Sequence, residues 1–179
     1  MPFDYTNRSW IRECRDSLKN TSWDQENREY MLASELNVIS FDEMKEAYLK
    51  NLGMNEDMAN SADAMTFDDD YTYLIEFKNG EDIDNVQIEN KVKDSVTILC
   101  DEWNRTVSNT REDVIFVLVY NESRKKIHGL EKIAINRANQ SGRPHTYYGL
   151  YKANVYVKKA VVLSRDEFQK KLLPRLKNA

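Results

Sequence analysis

The stretch VIFVLVY at residues 114–120 constrains the fold more than any other. It is apolar without polar alternation, as expected of a strand covered on both faces inside a sheet. Upstream, Ile88, Val92, Val96, Leu99 and Trp103 recur at intervals of three and four. That is one face of a helix, which the capping-box spacing of Asp84 and Gln87 starts and which runs to about residue 104. Before the helix, YTYLIEFK at 71–78 reads as a mostly apolar strand. Strand, helix and buried strand in this order imply a right-handed parallel crossover with the helix lying on an α/β sheet.

Turn and cap signals divide the rest. Ser22 with Gln25, and Ser40 with Glu43, have capping-box spacing and predict helices over 23–36 and 41–52, with an earlier one after Asn7, so the first 53 residues read as a helical N-terminal part. ADAMTF and YTYLIEFK, joined by DDD, read as a hairpin. Past residue 120, SRKKIHGLEKIAINRAN reads as an amphipathic helix with Ile127, Leu130, Ala134 and Ala138 inward. β segments are expected around 147–163, and Ser164 with Glu167 caps a last helix that Pro174 shortens. With 179 residues, 41% hydrophobic, and neither repeats nor a low-complexity linker, one domain over 1–179 is the economical reading. No run reaches membrane-span length and the N-terminus lacks a signal-peptide pattern, so a cytoplasmic protein is expected. Cys14 and Cys100, the only cysteines, read as buried thiols, which leaves oxygen as the ligand for any metal.

The hairpin carries the chemistry. Along a strand Glu76 and Lys78 project together, away from Ile75 and Phe77. If Asp69 and Asp70 form a two-residue turn, Asp68 faces Tyr71 and Asp63 lies across from Glu76; a three-residue turn would instead oppose Asp63 to Ile75. Directly opposed like charges are destabilising, by roughly 0.2–1 kcal/mol. An acid pair in that place calls for a cation, and carboxylates without histidine or cysteine suit magnesium, with manganese able to substitute. Lys78 on the same face would orient an attacking water and place positive charge near a developing anion. Asp68, Asp69 and Asp70 themselves read as turn chemistry, and His128 and His145 as ordinary histidines without ligand spacing.

Asp63, a hairpin, Glu76-Phe77-Lys78 at a strand end, then a helix and a buried strand resemble the core of the PD-(D/E)XK nuclease superfamily over about residues 23–120. The resemblance implies a restriction-endonuclease-like mixed β-sheet flanked by helices, with the metal-site core at 62–120. It further implies Asp63 and Glu76 as metal ligands, the Phe77 carbonyl as a further ligand, and Lys78 as the catalytic lysine. Members often add a Glu from the preceding helix, for which Glu35 is the first choice and Glu29 the second. No proline precedes Asp63, and the first core strand must come from NVISF. The Glu-x-Lys triplet also occurs at 43–45 and 89–91, so its position after an apolar strand, not its composition, singles out Glu76.

Charge is distributed unevenly: 12 Lys and Arg against 26 Asp and Glu through residue 120, then 14 against 4. Two readings stand, a basic part that holds a polyanion or halves that neutralise each other across the fold. Lys125, His128, Lys132, Asn136 and Asn139 form a polar stripe on the predicted helix, and Arg143, Lys152, Lys158 and Lys159 interleave with tyrosines, a mixture suited to nucleic-acid contact. Lys125, Lys132, Arg143 and Lys152 are the candidate phosphate contacts. Gln87 and Lys91 lie one turn apart on the crossover helix; the resemblance makes them candidates for the scissile phosphate, since similar positions in some nucleases touch it, while their plainer and favoured readings are a capping Gln and a solvated Lys. The expectation is a magnesium-dependent nuclease acting on nucleic acid, most readily DNA, and conceivable as a homodimer; the alternative is a non-catalytic nucleic-acid- or protein-binding module in which Glu76 and Lys78 form a salt bridge.

Overall fold

The computed structural model describes residues 12–179 around a mixed six-stranded sheet flanked by helices. In spatial order the strands are β1 (Arg15–Ser17), β4 (Asn37–Ser40), β5 (Ala64–Phe67), β6 (Thr72–Lys78), β7 (Val114–Tyr120) and β8 (Lys159–Ser164). Neighbours from β1 to β6 pair antiparallel, whereas β6 with β7 and β7 with β8 are parallel. The expected crossover is made by α3 (Asn85–Glu102), whose cap Asp84 accepts from the N–H groups of Val86 and Gln87, followed by the short α4 (Val107–Asp113). NVISF supplies the expected first strand, β4, and Ser40 caps α2 (Phe41–Asn51) directly after it.

Every residue of β7 is buried because the sheet has a core on each side. Leu74, Phe116 and Leu118 pack with Ile88, Val92 and Leu99 of α3 on one face, while Tyr73, Ile75, Val117 and Val119 pack with Leu18 and Phe168 on the other. Burying one such side chain stabilises by about 1.5–3 kcal/mol, so both layers hold β7 in place. Alternation along β6 then assigns Glu76 and Lys78 to the α3 face with Leu74, and Phe77 to the opposite face. The hairpin register is that of the two-residue turn: Phe67 pairs Thr72 and Ala64 pairs Ile75. Asp68 closes the turn, its Oδ1 accepting from the N–H groups of Asp70 and Tyr71, both at 2.8 Å.

Several predicted elements differ. The helix expected over 23–36 is a small hairpin of β2 (Trp23–Asp24) and β3 (Glu29–Tyr30), preceded by the four-residue α1 (Leu18–Thr21). Ser22 does accept a backbone N–H, but from Leu32, and Asp24 accepts from the N–H groups of Glu26 and Asn27 to close a turn, so both side chains favour non-helical backbone. Among the described residues of that part the helical reading therefore holds mainly for α2, and the start of the helix expected after Asn7 lies outside the described residues. The helix after β7, α5, spans Gly129–Ser141 and starts later than the pattern suggests; Ile135 and Ala138 are buried, and Leu130 is 83% exposed. The tyrosine-rich stretch after it is not a strand but a 3-10 helix over Leu150–Val155, so only β8 fulfils the β expectation there. Ser164 and Glu167 form the expected capping box of α6 (Arg165–Glu167), which continues as a π turn and ends in a 3-10 turn containing Pro174. No helix among the described residues is long and apolar enough to cross a membrane.

Candidate active site

A cleft of about 390 Å³ opens where β6 ends and α3 begins, and Asp63, Glu76, Phe77, Lys78, Gln87 and Lys91 all line it. Asp63 sits just before β5, its N–H donating to the Ile75 carbonyl at 2.9 Å, while its Oδ2 accepts from the Phe77 N–H at 2.6 Å. Glu76 is fully buried. Between the two acids stands the ammonium of Lys91, 3.2 Å from Asp63 Oδ1 and 2.7 Å from Glu76 Oε2. The carboxylates thus share a single cation, which requires the close approach that the hairpin register predicts. Lys78 Nζ lies 3.1 Å from Glu76 Oε1 but donates to Gln87 Oε1 at 2.7 Å, and Glu76 Oε1 has no hydrogen-bond partner among the described residues.

The electrostatics follow from burial. Loss of water around Glu76, reinforced by the Asp63 charge, pushes its carboxyl up to about 8 against the opposing pull of Lys91 and Lys78. Burial also works against the Lys91 charge, but Asp63 and Glu76 outweigh it and hold the ammonium protonated beyond its ordinary range. A residue the sequence reading missed joins them: Asp42, in the first turn of α2, lines the cleft and accepts from Ser61 Oγ. Desolvation first, and Asp63 second, raise its carboxyl too. Asp42 arrives because β4 pairs with β5 and the Phe41 N–H donates to the Asp63 carbonyl at 3.1 Å, which sets the start of α2 beside Asp63. The only sequence signal was the Ser40 cap, which places Asp42 in an N-terminal turn.

Glu35, the first choice for an additional acid, is not at the site. It follows the small hairpin rather than belonging to a helix, is exposed, and pairs with Lys19 at 3.5 Å. Glu29 also lies outside the cleft lining; it accepts from Asn79 Nδ2 and from Arg124, tying β3 to the loops that follow β6 and β7. Lys91 is no solvated helix residue, its side chain being only 14% exposed. Lys125, Lys132, Arg143 and Lys152 do not line the cleft. Lys125 stands 5.9 Å from the Tyr148 ring and Lys152 is paired with Glu89 at 2.8 Å, while Arg143 lines a separate groove with Arg137 and the buried His145. Part of the charge asymmetry is cancelled within the fold: Arg124–Glu29, Lys152–Glu89, Arg175–Asp68 and Lys177–Asp69 each join a base of the last third to an acid before it.

The cleft is rich in carboxylate oxygen, the ligand type that hard divalent cations take. Asp24, Glu26, Asp42, Asp63, Glu76 and Asp82 line it against only Lys78 and Lys91, and a buried Glu76 oxygen lacks a hydrogen bond among the described residues. Asp63, Glu76 and Asp42 are the residues that would hold such an ion. As the side chains stand, no group of three acid, histidine or cysteine residues among the described residues is placed to bind a metal, and Lys91 occupies the space between the two central acids. The molecule is an α/β protein with a mixed sheet and a buried acid–lysine cluster at one strand end. No protein-family model, curated protein or solved structure matches the chain.

Proposed function

We propose that the chain is a magnesium-dependent nuclease with a restriction-endonuclease-like core, hydrolysing phosphodiester bonds in nucleic acid, most readily DNA. The observation that carries this reading is the sharing of one cation by Asp63 and Glu76, through Lys91 at 3.2 and 2.7 Å. The order of β4, β5 and β6 antiparallel, then α3 and a parallel β7, supports the fold assignment. A magnesium ion supplies charge neutralisation and polarisation of a phosphoryl oxygen. Asp63 is held in place for that role by the Phe77 N–H, and Glu76 by its position in β6 beside the Lys91 ammonium. Lys78, anchored by Gln87, presents its ammonium at the cleft, where it orients an attacking water and stabilises charge on the scissile phosphate.

A non-catalytic binding module is the second reading, and the Glu76–Lys78 ion pair at 3.1 Å is the observation that favours it. Magnesium-dependent cleavage of a DNA oligonucleotide separates the two. Wild-type protein is expected to cleave, whereas Asp63→Asn and Lys78→Ala should each lose activity by at least about a hundredfold while keeping a cooperative melt. A wild-type protein whose melting temperature is indifferent to magnesium and manganese, and which leaves DNA intact, would overturn the metal reading.

A further inference from the structure

The Lys91 ammonium touches the two acids through the oxygens that face each other, Asp63 Oδ1 and Glu76 Oε2, while the outer oxygens are directed to the Phe77 N–H and toward Lys78. Asp42 adds its charge from the start of α2. Lys78 has an anchor besides Glu76, since its ammonium also donates to Gln87 Oε1 at 2.7 Å. Among the described residues Lys91 makes no other ion pair, and its flexible four-carbon stem reaches the acids from α3 at the wall of an open cleft.

We infer that Lys91 is a resident counterion of the acid pair that competes with a divalent cation for Asp63 Oδ1 and Glu76 Oε2 and must swing away when the cation binds. This rests on the metal-site reading above and adds a property to it: the threshold of divalent-ion concentration at which the site loads is set by a residue that is not a ligand. A hard cation contacts carboxylate oxygens at about 2.0–2.1 Å, so it cannot share those inner oxygens with an ammonium seated between them. Their like charges repel at that range. The ammonium keeps the acids from repelling one another until then, and Lys91 itself lines the open cleft. Lys91 is thus a positioning residue, and its effect appears in ion affinity before any chemistry.

Isothermal titration of Mg2+ into metal-free wild type, Lys91→Met and Lys91→Gln tests this. Both variants are expected to bind Mg2+ about tenfold or more tightly than wild type, since a competing positive charge is gone. Both should melt below wild type without the ion and gain more on its addition. Lys91→Gln keeps a polar end in the site if Lys91→Met does not fold. Unchanged or weaker Mg2+ binding by a cooperatively folded variant, beside measurable binding by wild type, overturns the inference and leaves the nuclease reading standing. Absence of Mg2+ binding in wild type and variants alike overturns both.

Discussion

Replacing Glu76 by glutamine should make the metal-free protein more stable at alkaline pH and leave it nearly unchanged at pH 5. The wild-type carboxyl is carried from an ordinary 4.5 to about 8 by burial and by the Asp63 charge. Between those values the folded state binds a proton that the unfolded chain has released, so stability falls as pH rises, by about 1.4 kcal/mol per pH unit. Most of the protonated form's advantage is present below 4.5 and lost through about 8, which amounts to on the order of 4–5 kcal/mol. Asp42, also raised by desolvation and Asp63, tilts the curve in the same direction. Asp24 and Asp68 are held below the usual range, against the cost of their burial, by hydrogen bonds, so their loss of stability belongs to more acidic solutions. Urea unfolding of wild type and Glu76→Gln at pH 5, 7 and 9 with chelator present reads the effect directly. The two should converge at pH 5, with the glutamine variant ahead by a few kcal/mol at pH 9. Magnesium should reverse the alkaline loss in wild type only, because it requires the ionised carboxylate. A wild type that grows more stable from pH 5 to 9, or a glutamine variant that is weaker throughout, would refute the account of a desolvated and repelled carboxyl.

Neutralising Lys125, Lys132 or Arg143, none of which is in an ion pair among the described residues, should each weaken DNA binding across sequences and lower the salt slope by about one unit, measured by anisotropy at several salt concentrations. Lys152, already paired with Glu89, should give a smaller change, and cleavage should return at low salt for all four but never for Lys78→Ala. Unaltered salt dependence in all four would place the substrate elsewhere. Gly149 has φ +68°, and a Cβ there would lie 1.9 Å from the Asn85 carbonyl oxygen at the start of α3, so Gly149→Ala should cost about 3 kcal/mol, or roughly 6–12 °C in melting temperature. A melt within 2 °C of wild type would show that this close approach is easily relaxed.

What the sequence determined by itself are the features encoded within one element. The unbroken apolar run of 114–120 reads as a strand covered on both sides, and the three-and-four spacing from Ile88 to Trp103 as one face of a helix, and the structure has both. For the hairpin the sequence left two registers open, and the structure selects the two-residue turn at Asp69 and Asp70 that brings Asp63 near Glu76. Where cap-like side chains bonded backbone in another way, as Ser22 and Asp24 do, the local pattern was ambiguous and the helix over 23–36 was misread. Tertiary structure decided the rest of the candidate site. Asp42 is 21 positions from Asp63 and Lys91 is 28, and only β4–β5 pairing and the docking of α3 on the sheet bring their side chains to the same cleft. The same holds for what the site excludes: Glu35 turns to Lys19, and Lys152 turns to Glu89, because each follows the path of its own loop. A helix period says that Gln87 and Lys91 share a face with one another; which carboxylates that face meets is settled by burial of Ile88 and Val92 against a sheet built from residues far away in the chain.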